Sequence, residues 1–276
     1  MRDRSFKAAG KNGKGVLLVH GLTGAPGEMK FVGKHLVKRG FAVSAPHLAG
    51  HGSDEKALLR TGWRDWLDSL QPAYEALAAE VDEVYVAGIC VGGSLALMLA
   101  AGRPKIAGAA VYSIAFEYDG WNMPPVMTVA SLIQYVANLP LVRTMSFVEP
   151  YPYGLKDERL REMVQKSPES VIAGALDTMP MGSLYQMYRL GHHLEKVAPR
   201  IKTPTLILHA RDDDMCHPRN ATRLQSVLGG PAQVRLVEDS YHMIHVDRER
   251  DLVAEMTAEF FMATGASAPA RELEHA

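Results

Sequence analysis

The stretch that most constrains this chain runs from Val84 to Ala101. Val84-Tyr85-Val86-Ala87 is a short apolar run of the kind buried inside a sheet, and Ser94-Leu95-Ala96-Leu97-Met98-Leu99-Ala100-Ala101 is a strong helix former. Between them lies Gly88-Ile89-Cys90-Val91-Gly92-Gly93. A strand that turns so abruptly into a helix needs small neighbours for the turn to close. It also holds its apical residue in strained backbone, with the side chain raised above the sheet edge. That residue is Cys90, and the pattern reads as a nucleophile elbow. The plain alternative is an inert buried cysteine in a tight turn.

The rest of the chain alternates in the same way. Val16-Leu17-Leu18-Val19 reads as a strand ending at His20-Gly21, followed by helical spacing over Gly27 to Arg39. Phe41 to Ala45 is a strand halted by Pro46, and Leu48 to Ser53 is a glycine-punctuated loop. Trp63 to Ala79 reads as one amphipathic helix. Ala109 to Ile114, Thr205 to His209 and Gln233 to Val237 are further strands, with helices at Pro218 to Leu228 and near Asp247 to Met262. Strands alternating with helices imply a doubly wound, mostly parallel sheet covered on both faces.

One stretch breaks the alternation. Phe116 to about Lys202 carries Pro124, Pro125, Pro140, Pro150, Pro152, Pro168 and Pro180 with helical patterns but no convincing strand. The expected organisation is a core of residues 1–115 and 203–276 with a helical lid insertion at 116–202, lying over the carboxyl ends of the strands where open α/β folds bind ligands. Trp121, Met123, Met127, Tyr135, Phe147, Tyr151, Tyr153, Met179, Met181 and Tyr185 in that insertion suit an apolar acyl group, or packing of the lid on the body. The tail from Gly265 to Ala276 is expected to fray.

Thirty Lys plus Arg against 31 Asp plus Glu leave a net charge of −1, which gives no field for nucleic acid or anionic lipid. Met1 to Gly15 lacks the apolar core of a secretory signal, and no apolar run is long enough for a bilayer, so a cytoplasmic location without membrane insertion is expected. The two cysteines, Cys90 and Cys216, fit a reducing compartment rather than a disulfide scaffold. No histidine spacing on a helix points to a metal site, and no motif asks for a cofactor. Association into a homo-oligomer stays open.

Through His20-Gly21-Leu22-Thr23-Gly24, Pro46 to Gly52, the elbow and two late loops, nearly the whole chain resembles the α/β-hydrolase superfamily. More narrowly it resembles the bacterial carboxylesterase and monoacylglycerol lipase group. The motif of that group has serine where this chain has Cys90. Polyhydroxyalkanoate synthases and dienelactone hydrolases, relatives in fold, carry cysteine there. The resemblance implies the order nucleophile, acid, histidine, with the last two on loops after late strands. Arg211-Asp212-Asp213-Asp214 matches the acid loop with Asp213 at the triad position, although Asp212 and Asp214 stand beside it. Glu238-Asp239-Ser240-Tyr241-His242 matches the histidine loop, with His245 as the fallback base. His35, His192 and His193 read as surface or packing residues, and His47 and His51 as structural. The oxyanion hole implied is the backbone N–H of Val91 and of Leu22.

The expected activity is acyl hydrolysis, of the carboxylesterase, lipase or thioesterase type, through a Cys-His-Asp triad and a thioester acyl-enzyme. Imidazolium and a helix N-terminus both favour a thiolate. Three other readings remain. An acyltransferase would pass the acyl group to an alcohol or amine. A Ser-to-Cys variant of a serine esterase would carry the same sequence. A binding protein would hold an apolar ligand while the triad idles.

Overall fold

Each apolar run noted above becomes a strand of one sheet, and one further strand joins that sheet. The computed structural model describes residues 5–103, 105–123, 139–166, 176 and 178–265. In chain order the first half contains β1 (Phe6–Ala8), β2 (Lys14–Val19), α1 (Lys30–Lys38), β3 (Ala42–Ala45), α2 (Glu55–Leu59), α3 (Trp63–Ser69), α4 (Gln71–Ala78), β4 (Glu83–Ile89), α5 (Val91–Ala101) and β5 (Ile106–Tyr112). There follow α6 (Pro140–Arg143), β6 (Ser146–Val148), α7 (Glu158–Lys166), β7 (Thr178–Pro180) and α8 (Met181–Val197). The chain then returns through β8 (Thr205–Ala210), α9 (Arg219–Val227), β9 (Ala232–Val237) and α10 (Arg250–Thr264).

The main sheet has seven strands in the order β1-β3-β2-β4-β5-β8-β9. All its pairings are parallel except β1 with β3, which sets Phe6 opposite Ala45. Helices cover both faces, which is why β2, β4 and β5 are buried along almost their whole length. This is the α/β-hydrolase fold. The charged start of the chain, to which no strand was assigned from sequence, supplies edge strand β1.

Three expectations change. The single helix over Trp63 to Ala79 is two, α3 and α4, meeting at Leu70, because Pro72 near the start of α4 has no N–H to continue the ladder. The helix drawn from Gly27 begins as a 3-10 turn over Pro26–Met29 before α1. The stretch between β5 and β8 is not strand-free, since β6 and β7 form a two-stranded antiparallel ladder with Phe147 opposite Met179. Met127 and Tyr135, named above as candidate pocket residues, lie outside the described residues.

Candidate active site

The elbow closes because glycines replace side chains where backbones meet. A Cβ on Gly92 would lie 2.3 Å from Val19 O and 2.4 Å from His20 O, and one on Gly88 would lie 2.4 Å from the Gly92 carbonyl. Strand β4 and helix α5 can therefore be joined through a single residue, Cys90, at φ 52° and ψ −116°. A non-glycine residue in that region is strained, and the strain holds the thiol at the carboxyl end of the central strand. The N–H of Val91, first in α5, has no intrahelical partner.

Beside the elbow, the loop after β2 is fixed from two sides. His20 Nε2 accepts from Leu48 N at 3.2 Å, so its Nδ1 carries the proton and donates to Gly21 O at 3.0 Å. Gly21 N donates to Glu28 Oε1 at 2.6 Å. This neutral His20 packs edge-on against His47 and His51, and burial pulls both His20 and His51 down, His51 to about 4. Leu22 thereby comes to the same cavity as Cys90.

The acid and histidine loops arrive from β8 and β9. His242 Nδ1 faces both carboxylate oxygens of Asp213, at 3.1 and 3.0 Å. Asp213 Oδ1 also accepts from Met215 N and Cys216 N at 2.9 and 2.7 Å. His209 Nε2 lies 3.2 Å from Asp213 Oδ2 and 2.8 Å from the Cys216 carbonyl, two acceptors, so that nitrogen carries a proton. Burial alone would push the Asp213 carboxyl up. The neighbouring His242 and His209 outweigh it and hold the group well below the usual carboxylate range. Burial likewise opposes charge on His242, but the Asp213 carboxylate at its Nδ1 holds the imidazole well above its ordinary value.

The neighbouring aspartates have other partners. Asp214 accepts from His242 N and Gly154 N at 3.3 and 3.1 Å, and burial with the nearby Asp213 lifts it to about 6. Asp212 is exposed, with its carboxylate 3.7 Å from Lys156 Nζ. His245, the fallback base, is buried with both ring nitrogens unpartnered among the described residues, and burial drives it down to about 3. His35 pairs with Glu255, and His193 packs on Trp63.

Cys90 and His242 border one cavity of about 250 Å³. Its walls come from the body through Leu22, Glu28 and Ile89, and from the β5–β8 connection through Val148, Glu149, Tyr153 and Leu155. Among the described residues the hydrogen-bond neighbour of the Cys90 thiol is Tyr118 Oη at 3.8 Å. Burial and the adjacent thiols keep that phenol protonated, so it can donate to sulfur. Sequence reading missed Tyr118, whose type and position carry no local signal. It also gave Cys216 no place beside His242. The Cys216 thiol instead packs against His242, and burial raises it well above the ordinary thiol range, so it stays protonated. Donor atoms of Asp213, Cys216 and His242 all lie within 4.8 Å of one another.

A serine aminopeptidase S33 family model matches residues 10–249. The chain is 28% identical over 248 residues to a thermostable monoacylglycerol lipase of Bacillus sp. strain H-257, covering 90% of each chain. It is 26% identical over 249 residues to a carboxylesterase of Bacillus subtilis strain 168, covering 90% of this chain and 92% of that one. The structure of a Paleococcus ferrophilus monoacylglycerol lipase superposes with a TM-score of 0.78 at 22% identity, covering 96% of this chain and 100% of that one, a likeness of fold.

Proposed function

Because the chain belongs to the serine aminopeptidase S33 family of α/β-hydrolases, we propose that it is an acyl ester hydrolase of the lipase and esterase type whose nucleophile is Cys90. The observation that carries this is a thiol on a strained elbow sharing one cavity with a histidine whose far nitrogen is held by a buried carboxylate. The described part of the 116–202 insertion serves as the lid over that cavity, which it lines through Tyr118, Val148, Tyr153 and Leu155, and the substrate is a small acyl ester rather than a macromolecule.

His242 accepts the thiol proton, favoured by Asp213, as sulfur attacks the ester carbonyl. The oxyanion that forms is met by the N–H groups of Leu22 and Val91, each worth roughly 3 kcal/mol by comparison with measured oxyanion holes. His242 then returns the proton to the leaving alcohol, which departs and leaves a thioester on Cys90. Water attacks that thioester with His242 again as base, releasing the acid and the free thiol. Tyr118, donating to sulfur, steadies the negative charge that sulfur carries as it gives up its proton to attack and again as it leaves the thioester in the second half-reaction. Side chains such as Leu22, Ile89, Leu155, Met215 and Met243 give the cavity an apolar lining that suits an acyl chain. The same lining favours a second outcome, transfer of the acyl group to an alcohol or amine that enters in place of water.

Intact-mass analysis after a short exposure to p-nitrophenyl esters tests the reading. The expected result is turnover with one acyl adduct on the wild-type chain, and neither turnover nor adduct in Cys90→Ala. Undiminished hydrolysis by Cys90→Ala would refute the role of Cys90. A new ester or amide formed when butanol or butylamine is added would mark transfer.

A further inference from the structure

We propose that Asp213, Cys216 and His242 form a binding site for a soft divalent cation of the zinc type, and that its occupancy switches the enzyme off. The site shares two residues with the hydrolytic reading above: metal binding stands apart from that reading, while the switching-off rests on it.

Several features of the cluster favour this. A carboxylate oxygen, an imidazole nitrogen and a thiol sulfur, all buried, lie within 4.8 Å of one another. Zinc holds N and O at about 2.0–2.2 Å and S at about 2.3 Å, so tetrahedral donors stand roughly 3.3–3.8 Å apart. The imidazole and carboxylate are already 3.0 Å apart through Nδ1, and the thiol must close by no more than about an ångström. The turn from Asp213 to Cys216 is preset, since the carboxylate accepts the N–H of Cys216 at 2.7 Å and His209 holds the Cys216 carbonyl at 2.8 Å. Two of the three side chains can thus converge without reorganising the backbone.

Charge and donor type fit the same ion. On binding, Cys216 loses its S–H proton and His242 the proton on its ligating nitrogen. The dication then meets one thiolate and one carboxylate, and the buried site becomes neutral. Sulfur and nitrogen donors select zinc or cadmium over magnesium or calcium, which prefer oxygen alone. Of the three proposed ligands, His242 borders the cavity that Cys90 and Met215 also line. A metal held by the three occupies His242 and uncouples it from Asp213, so no base remains for the thiol or for water.

Cadmium titration at neutral pH reads the site without reference to turnover, through the ultraviolet charge-transfer band of a thiolate–cadmium bond. The wild-type chain and Cys90→Ala should each show a one-to-one band. Cys216→Ser, which exchanges a single atom, should weaken binding at least about tenfold, in line with what loss of even an indirect metal contact costs. His242→Gln should weaken it as well and covers the case in which the serine variant fails to fold. Where ester turnover is measurable, zinc should inhibit it reversibly on addition of chelator, and Cys216→Ser should need at least about tenfold more zinc. A band kept in Cys216→Ser, one lost in Cys90→Ala, or none at all would overturn the proposal. Absence of ester turnover would leave the cadmium result standing and count against the hydrolytic reading alone.

Discussion

Glu28 carries a titration that separates fold stability from catalysis. It is 3% exposed, accepts from Gly21 N, and burial lifts its carboxyl from about 4.5 to about 7. Between those two values the folded chain keeps a proton that the unfolded chain has released. Stability therefore falls as pH rises through that window and levels off above it, by about 3 kcal/mol in all. Glu28→Gln removes this burden yet keeps an oxygen to accept from Gly21. Its melting temperature should match the parent below pH 4.5, pull ahead from pH 4.5 to 7, and hold a constant lead above. The same lead at pH 5 and pH 8 would show that Glu28 ionises freely. Nothing in Pro26-Gly27-Glu28-Met29 marks this residue as buried, because its place depends on a contact with Gly21 across the turn. Cys90 was legible, since its neighbours in sequence are what strain it. Tyr118 and Cys216 were not, because their roles come from meeting Cys90 and His242 across long chain separations.

At the scale of elements, the turn from β4 into α5 is the tightest join and the best read from sequence. Its signals, an apolar run, closely spaced glycines and a run of helix formers, are all local. Edge strand β1 escaped notice because only its partner β3 makes Phe6-Lys7-Ala8 a strand. The β6–β7 ladder escaped because its halves stand far apart among prolines. Gly92→Ala tests the join. The added methyl meets the carbonyl oxygens of Val19 and His20, main-chain atoms that no rotamer change can move. Separating α5 from β2 should cost about 1–3 kcal/mol. It should also shift Cys90 relative to Leu22, so the variant should show both a lower melting temperature and lower kcat. A parent-like melt with parent-like turnover would mean that the helix moves away without cost.

Across the whole molecule, the β5–β8 connection is tied by hydrogen bonds of its backbone to the histidine loop. Lys156 N and Asp157 N donate to the two oxygens of Asp247 at 2.7 and 2.9 Å, while Tyr241 N donates to Asp247 Oδ2 at 2.8 Å. Gly154 adds a bond from Met243 N at 2.9 Å and gives its own N–H to Asp214 at 3.1 Å. The segment that shapes the cavity is thus pinned to the segment that carries His242, and Leu155, 2% exposed, is the wall residue at the junction. If the acyl chain lies along this wall, Leu155→Ala opens room for several methylenes without touching Cys90, His242 or Leu22. One methylene well matched to an apolar pocket is worth about 1–3 kcal/mol, or roughly 10–200-fold in rate. The ratio of kcat/KM for hexanoyl over acetyl p-nitrophenyl ester should therefore rise at least about tenfold in the variant, while acetyl ester turnover changes far less. An unchanged ratio would mean that the acyl group extends away from Leu155, and the connection would then select the alcohol side of the ester instead.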